Sequence, residues 1–168
     1  MKKIYLDNAA TTALDPTVWE YMTPYFLDTL GNPSSTHFAG REAKAALESA
    51  RKKIADLING KSARVIFTSG ATEANNLVFK FAVKNLGVKT VITSPLEHHA
   101  VLHPAEKLVD DGIKILFTEH DENGSINLSH LASLLEENNN VLVSVMHVNN
   151  EIGIICLLYT SPSPRDRG

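Results

Sequence analysis

Between Arg64 and Met146 short apolar runs alternate with longer segments of helical length, and nothing else in the chain restricts the fold as strongly. Arg64–Thr68, Thr90–Ser94, Ile113–Thr118 and Val141–Met146 are continuous and β-branched rather than alternating, the pattern of strands covered on both faces. Between them Thr72–Leu86, His98–Asp111 and Leu128–Asn138 are predicted helices, the second restarting at Pro104. Strand and helix alternating at this spacing predict a parallel α/β sheet with right-handed crossovers.

The first third is different. Pro16–Leu30 and Ala39–Ile58 are predicted helices, joined by the turn-rich "GNPSSTHFAG". From Ala43 to Ile58, Ala, Leu and Ile recur at helical spacing with Arg and Lys between them, as in a helix that covers a sheet. The sequence has 168 residues, enough for about one domain. Its net charge of -3, without a basic stripe, gives no footprint for nucleic acid. Cys156 has no second cysteine to pair with, and no apolar run spans a bilayer or forms a signal peptide. A cytoplasmic protein with no membrane contact is the expectation. From Cys156 the chain reads "CLLYTSPSPRDRG", whose alternating prolines block helix and central strand alike. Ser161–Gly168 is expected to be disordered. The organisation expected is an N-terminal arm over 1–15, a main domain over 16–153, and an abrupt tail over 154–168 that looks appended, like a frame run into foreign DNA.

Four stretches carry chemistry. In "FTSGATEANN", Phe67 to Asn76, an apolar run tips over Gly70 into a helix start, where free N–H groups and the positive end of the dipole can seat a phosphate. Gly70 and Ala71 leave room for close approach, and Thr72 adds a hydroxyl. No lysine follows in the P-loop pattern, and G-x-S-x-G is absent. The same residues also fit an ordinary cap, with Ser69 or Thr68 capping and Glu73 complementing the dipole. In "PLEHHAVLHP", Pro95 to Pro104, His98 sits at the C-terminal end of a strand, where open α/β sheets bind ligands and an imidazole can stack on a ring. His99 and His103 lie four apart, on one helix face, which fits a metal pair or, more simply, surface histidines. In "MHVNNEIG", Met146 to Gly153, a strand delivers two amides and a carboxylate to the same sheet edge, suited to a polar ring substituent or to a plain turn. "YLDNAATT", Tyr5 to Thr12, is an N-terminal arm of unassigned role.

In combination "YLDNAATT", "GNPSSTH", "FTSGATEANN", "EHHAVL" and "LVSVMHVNNEIG" resemble the N-terminal part of cysteine desulfurases of the NifS/IscS type, within the class V aminotransferase family of pyridoxal-phosphate (PLP) enzymes. The resemblance covers about Met1 to Gly153, and it is specific because several motifs recur in order. It implies an α/β fold, the large domain of PLP-dependent transferase fold type I, here truncated. It implies that Ala71 and Thr72 hold the PLP phosphate, that His98 stacks on the pyridine ring and that Asn150 contacts the ring hydroxyl. Asn8 and Ala9 would lie on the substrate side, and "GNPSSTH" close to a homodimer interface. The reaction implied converts L-cysteine to alanine, leaving a persulfide on an enzyme cysteine that feeds an iron–sulfur scaffold or another sulfur acceptor, including tRNA thiolation. Other class V enzymes, an aminotransferase or a selenocysteine lyase, are the alternatives, as is a non-catalytic fragment that dimerises. The chain departs from the pattern after "NNEIG": no lysine stands in the Schiff-base motif, the loop cysteine is missing, and Cys156 is not in its position. No catalytic residue and no metal ligand is therefore assigned, and the chain as written is expected not to turn over.

Overall fold

The structure, a computed structural model, describes residues 4–156. The segment expected to be disordered, Ser161–Gly168, lies outside the described residues. The chain divides after Phe67 into two compact units.

The first unit holds α1 (Pro16–Leu27), α2 (Phe38–Leu57) and a 3-10 turn at Ser62–Arg64. Asp15 starts α1: its carboxylate accepts from the N–H groups of Thr17 at 2.8 Å and Val18 at 3.3 Å, and Pro16 supplies the pre-set φ of a first helical residue. Helix α1 ends three residues before the expected Leu30, because Asp28 and Thr29 both turn back onto the Pro24 carbonyl at 2.9 Å. It buries none of its residues. The "GNPSSTH" loop folds tightly over the start of α2. A side chain at Gly40 would bring its Cβ within 2.3 Å of the Ser35 carbonyl oxygen, and one at Gly31 within 2.1 Å of that of Ala39. These two glycines are there for close backbone approach.

The strand expected over Arg64–Thr68 is not formed. A strand exists only as one side of a ladder, and residues 65–67 pair with no other described segment. They run extended, with Ile66 69% exposed. Arg51 of α2 takes the place of a partner strand. Its guanidinium donates to the Val65 carbonyl and lies 4.8 Å from the centre of the Phe67 ring, a cation–π contact.

The second unit runs α3 (Ala71–Leu86), β1 (Thr90–Thr93), α4 (His99–Lys107), a 3-10 turn (Leu108–Asp111), β2 (Lys114–Phe117), α5 (Leu128–Glu137) and β3 (Val141–Ser144). The strands form a parallel sheet in the order β2-β1-β3, so each neighbour is reached by a crossover. Val91 pairs in register with Ile115 and Leu142, and these pack on Phe79 and Ala82 of α3 and Val101 and Ala105 of α4. The next rung, Ile92 with Leu116 and Val143, points to the opposite face. Only the central strand is wholly buried, while β2 and β3 are partly exposed along the sheet's edges. That is why all three read as continuous apolar runs while the burial differs among them.

Helix α4 passes through Pro104 without restarting there. A proline inside a helix leaves the carbonyl four residues earlier without its N–H. Here that carbonyl belongs to Ala100, and the Asn75 side-chain amide of α3 donates to it at 3.2 Å. No helix among the described residues is long and apolar enough to cross a membrane.

Candidate functional site

Parallel sheets present the C-terminal ends of their strands, and the helix starts that follow, to ligands. In this chain the loops after β1 and β3 meet at that edge. The N-terminal turns of α3 and one side of α4 along its whole length line one cleft of about 320 Å³, formed by Thr72, Asn76, His98, His99, Ala100, His103, Pro104 and Lys107. That is the lower end of the size range for small-molecule sites. Thr72 and His98, singled out separately in the sequence, thus share one cavity.

Helix α3 begins with Gly70 at the cap position and no side chain capping it. The first intrahelical bond is Ala74 N–H to the Gly70 carbonyl at 3.1 Å, so the N–H groups of Ala71, Thr72 and Glu73 precede the ladder. A Cβ built on Gly70 would meet nothing within 4 Å, so the space beside this turn is open. Neither Ser69 nor Thr68 caps the helix. Instead Glu73 reaches back: its carboxylate accepts from the Ser69 N–H at 2.7 Å and from the Ser69 hydroxyl at 2.8 Å. The backbone N–H, then the hydroxyl, hold the Glu73 carboxyl below its usual range. The negative charge nearest the turn is therefore committed to Ser69, leaving Ala71 and Thr72 as anion donors. Gly70→Ala should leave the melting temperature nearly unchanged, because the site has room for a methyl. It should weaken phosphate-ligand binding roughly tenfold by filling the approach. Unchanged affinity, measured by fluorescence titration, would show that no ligand comes near Gly70.

His98 forms the cap of α4, and its Nδ1 accepts from the Ala100 N–H at 3.0 Å. With Nδ1 an acceptor, the ring proton sits on Nε2. The ring is thereby oriented by the chain itself. His99 and His103 stack on each other at 4.9 Å between ring centres. No group of three or more His, Cys, Asp or Glu among the described residues is placed to hold a metal ion.

Asn150 is exposed, donates to the Glu151 carboxylate at 3.1 Å, and does not line the cleft with Thr72 and His98. Asn8 and Ala9 are exposed in the turn that Asp7 closes by accepting from the Ala10 N–H, within the first unit.

Two residues hold this edge together: Glu97, which carried no role in the sequence, and Asn149, one of the two amides expected there. Glu97 is buried, and its carboxylate accepts from the Met146 N–H. Asn149, only 6% exposed, donates to the Leu96 carbonyl at 3.0 Å and accepts from Glu151 and Ile152 at 2.8 and 3.1 Å. The only hint of Glu97 in the sequence is its adjacency to His98, whereas Asn149, expected at a ring substituent or in a plain turn, is buried and holds the turn. Burial pushes the Glu97 carboxyl up from 4.5, against the opposing Met146 N–H and His98. A raised folded value means that Glu97 favours folding fully below 4.5, and that this contribution is lost as pH rises through the folded value. Glu97→Gln keeps an acceptor for Met146 without the charge. Its stability relative to the unsubstituted chain should therefore improve as the pH rises above 4.5. A pH-independent difference in urea midpoints would show that Glu97 does not titrate in this range. Cys156 is buried too, and its thiol is pushed up first by burial and then by Glu97, so little of it is nucleophilic thiolate.

The chain belongs to the class V aminotransferase family, whose sequence model matches residues 4–159. Its curated relatives include cysteine desulfurases. It is 46% identical over 157 residues to the cysteine desulfurase IscS of Dictyoglomus turgidum, covering 92% of this chain and 39% of that protein. It is 44% identical over 158 residues to a putative cysteine desulfurase IscS 1 of Bacillus subtilis, covering 92% and 41%. The chain thus spans about two fifths of the length of these relatives. Among solved structures, a NifS-like protein superposes with a TM-score of 0.86 at 35% identity, over 93% of this chain and 43% of that one. SspA in complex with cysteine does so with a TM-score of 0.81 at 33% identity, over 91% and 44%. The parallel α/β unit is thus part of the large domain of fold type I, as the resemblance implied.

Proposed function

We propose that this chain forms part of the cofactor site of a PLP-dependent cysteine desulfurase, which takes sulfur from L-cysteine and leaves alanine. The observation that carries the reading is the one cleft lined by both Thr72, at the start of α3, and His98, at the cap of α4 after β1. Open space at Gly70 and the N–H groups of Ala71 and Thr72 fit a phosphate, and the oriented imidazole fits a flat ring beside it. The cysteine desulfurases among its relatives supply the reaction class.

In this reading the N–H groups of Ala71 and Thr72 bind the phosphate, with the Thr72 hydroxyl as a further donor. His98 lies against the ring, its Nδ1 tied to Ala100 so that the ring does not rotate away. Asn150 would offer its amide to the ring hydroxyl, and Asn8 and Ala9 would belong to the substrate side. PLP, when bound, supplies an electron sink for the carbon skeleton of the amino acid. No lysine in the sequence stands in the cofactor-carrying motif, and the buried Cys156 is unsuited to accept sulfur. The chain alone therefore binds without turning over. The working protein is a cytoplasmic homodimer that passes its sulfur to an iron–sulfur scaffold or another acceptor.

The test has two arms. The 168-residue chain, titrated with PLP, should bind saturably and in competition with inorganic phosphate. A chimera carrying residues 1–153 in place of the matching part of the Dictyoglomus turgidum enzyme should release alanine from L-cysteine. A folded, PLP-loaded chimera that releases none would refute the desulfurase assignment, and absence of phosphate-sensitive binding would refute the cofactor site.

A further inference from the structure

We infer that Glu97 and Asn149 are positioning residues: a two-part clasp that sets the spacing of His98 and Asn150 before any ligand arrives. The inference rests on the cofactor reading above and deepens it. Strands β1 and β3 are neighbours in the sheet, so the loops that leave their C-terminal ends run side by side. Nothing in the ladder itself holds those loops, because register ends at Thr93 and Ser144.

The clasp takes over from there. From the β1 loop, the Glu97 carboxylate reaches across to the Met146 N–H of the β3 loop. From the β3 loop, the Asn149 amide reaches back to the Leu96 carbonyl at 3.0 Å. Both bonds are donated by the β3 loop, but the side chains that make them reach in opposite directions between the same two segments, so neither loop can slide or lift without breaking one. The other end of the Asn149 amide gathers the turn that follows it through the N–H groups of Glu151 and Ile152, and the Asn149 backbone carbonyl accepts from the Gly153 N–H at 2.9 Å. On the β1 side, the Ser94 hydroxyl lies 2.9 Å from His120 Nε2 and accepts from the Leu96 N–H at 3.0 Å, anchoring the loop from its far flank.

Two features separate this from ordinary loop packing. Glu97 and Asn149 are respectively 8% and 6% exposed, so each is a polar group whose partners are not replaceable by water. Each also directly precedes one of the residues expected on the ring. Fixing the Cα of Glu97 against that of Asn149 therefore fixes the roots of His98 and Asn150. Ring contacts need placement to within fractions of an ångström, and loops reach it only when such supporting bonds lock them.

The experiment uses the 168-residue chain and four variants: Glu97→Ala, Glu97→Gln, Asn149→Ala and Asn149→Asp. Two quantities are measured, PLP affinity and amide hydrogen exchange at Leu96–His98, Met146 and, as a core control, Val91 and Ile92. The alanine variants should bind PLP about tenfold more weakly, with faster exchange in the loops and unchanged exchange at Val91 and Ile92. Glu97→Gln, which keeps an acceptor, should bind like the unsubstituted chain. Asn149→Asp keeps the acceptor for Glu151 and Ile152 but loses the donor to Leu96, so it should weaken binding on its own. If an alanine variant loses core protection, Asn149→Asp decides alone: weaker binding over an intact core supports the clasp. Unaltered PLP affinity in both Asn149→Asp and Glu97→Ala overturns the clasp and leaves the cofactor site standing. No PLP binding by the unsubstituted chain overturns both.

Discussion

His98→Ala lowers the affinity of the chain for PLP roughly tenfold or more, whereas His103→Ala changes it little. The size follows from losing a ring-on-ring contact of about 1 kcal/mol together with its apolar area. The two histidines line the same cleft, so the contrast tests the role of the ring and not mere presence at the site. His98 does a second job, however, as the cap of α4 through its Nδ1, and losing a cap costs about 1 kcal/mol of stability by itself. His98→Asn separates the two jobs. Asparagine caps well and has no ring, so it should restore the melting temperature lost in the alanine variant without restoring PLP affinity. Equal, small effects of His98→Ala and His103→Ala would end the stacking assignment. Recovery of affinity in His98→Asn would show that His98 acts only through the helix start.

Ile92→Ala should destabilise the second unit by about 2–5 kcal/mol. Ile92 is fully buried in the central strand, with Leu116 and Val143 beside it in register. Truncation there opens a cavity that a flanked strand cannot collapse into, so the transfer and cavity costs add. For a unit of this size the melting temperature should drop by roughly 10 °C or more. Val109→Ala, at an exposed position, is the control and should stay within about 0.5 kcal/mol. Urea and thermal melts by circular dichroism measure both. A loss at Ile92 no larger than at Val109 would mean that the sheet is not the core of the unit.

The site was partly legible in the sequence for a chemical reason. A helix that starts on Gly-Ala-Thr and a histidine that follows a strand each carry a local requirement, so Thr72 and His98 could be picked out before their shared cleft was known. The long-range bonds of Glu97 and Asn149 could not. A buried carboxylate and amide are explained only by the backbone groups they meet, and those lie some fifty residues away in the chain.

The sequence by itself determined the alternation of strand and helix, and hence the parallel α/β class. Burial on both faces writes itself into a run of Val, Ile and Thr, and helical spacing into the segments between. It determined the Asp15–Pro16 start of α1, since a cap is satisfied within three residues. Family membership was likewise carried by motifs in order. Only the tertiary structure decided whether an apolar run becomes a strand. Val65–Phe67 has the composition of one, but a strand needs a partner's N–H and C=O groups, and here Arg51 meets the chain instead. Tertiary structure also decided that α4 runs through Pro104, because the carbonyl freed at Ala100 finds the Asn75 amide of a different helix. In each such case the deciding hydrogen bond joins residues far apart in the chain, and local propensity carries no information about it.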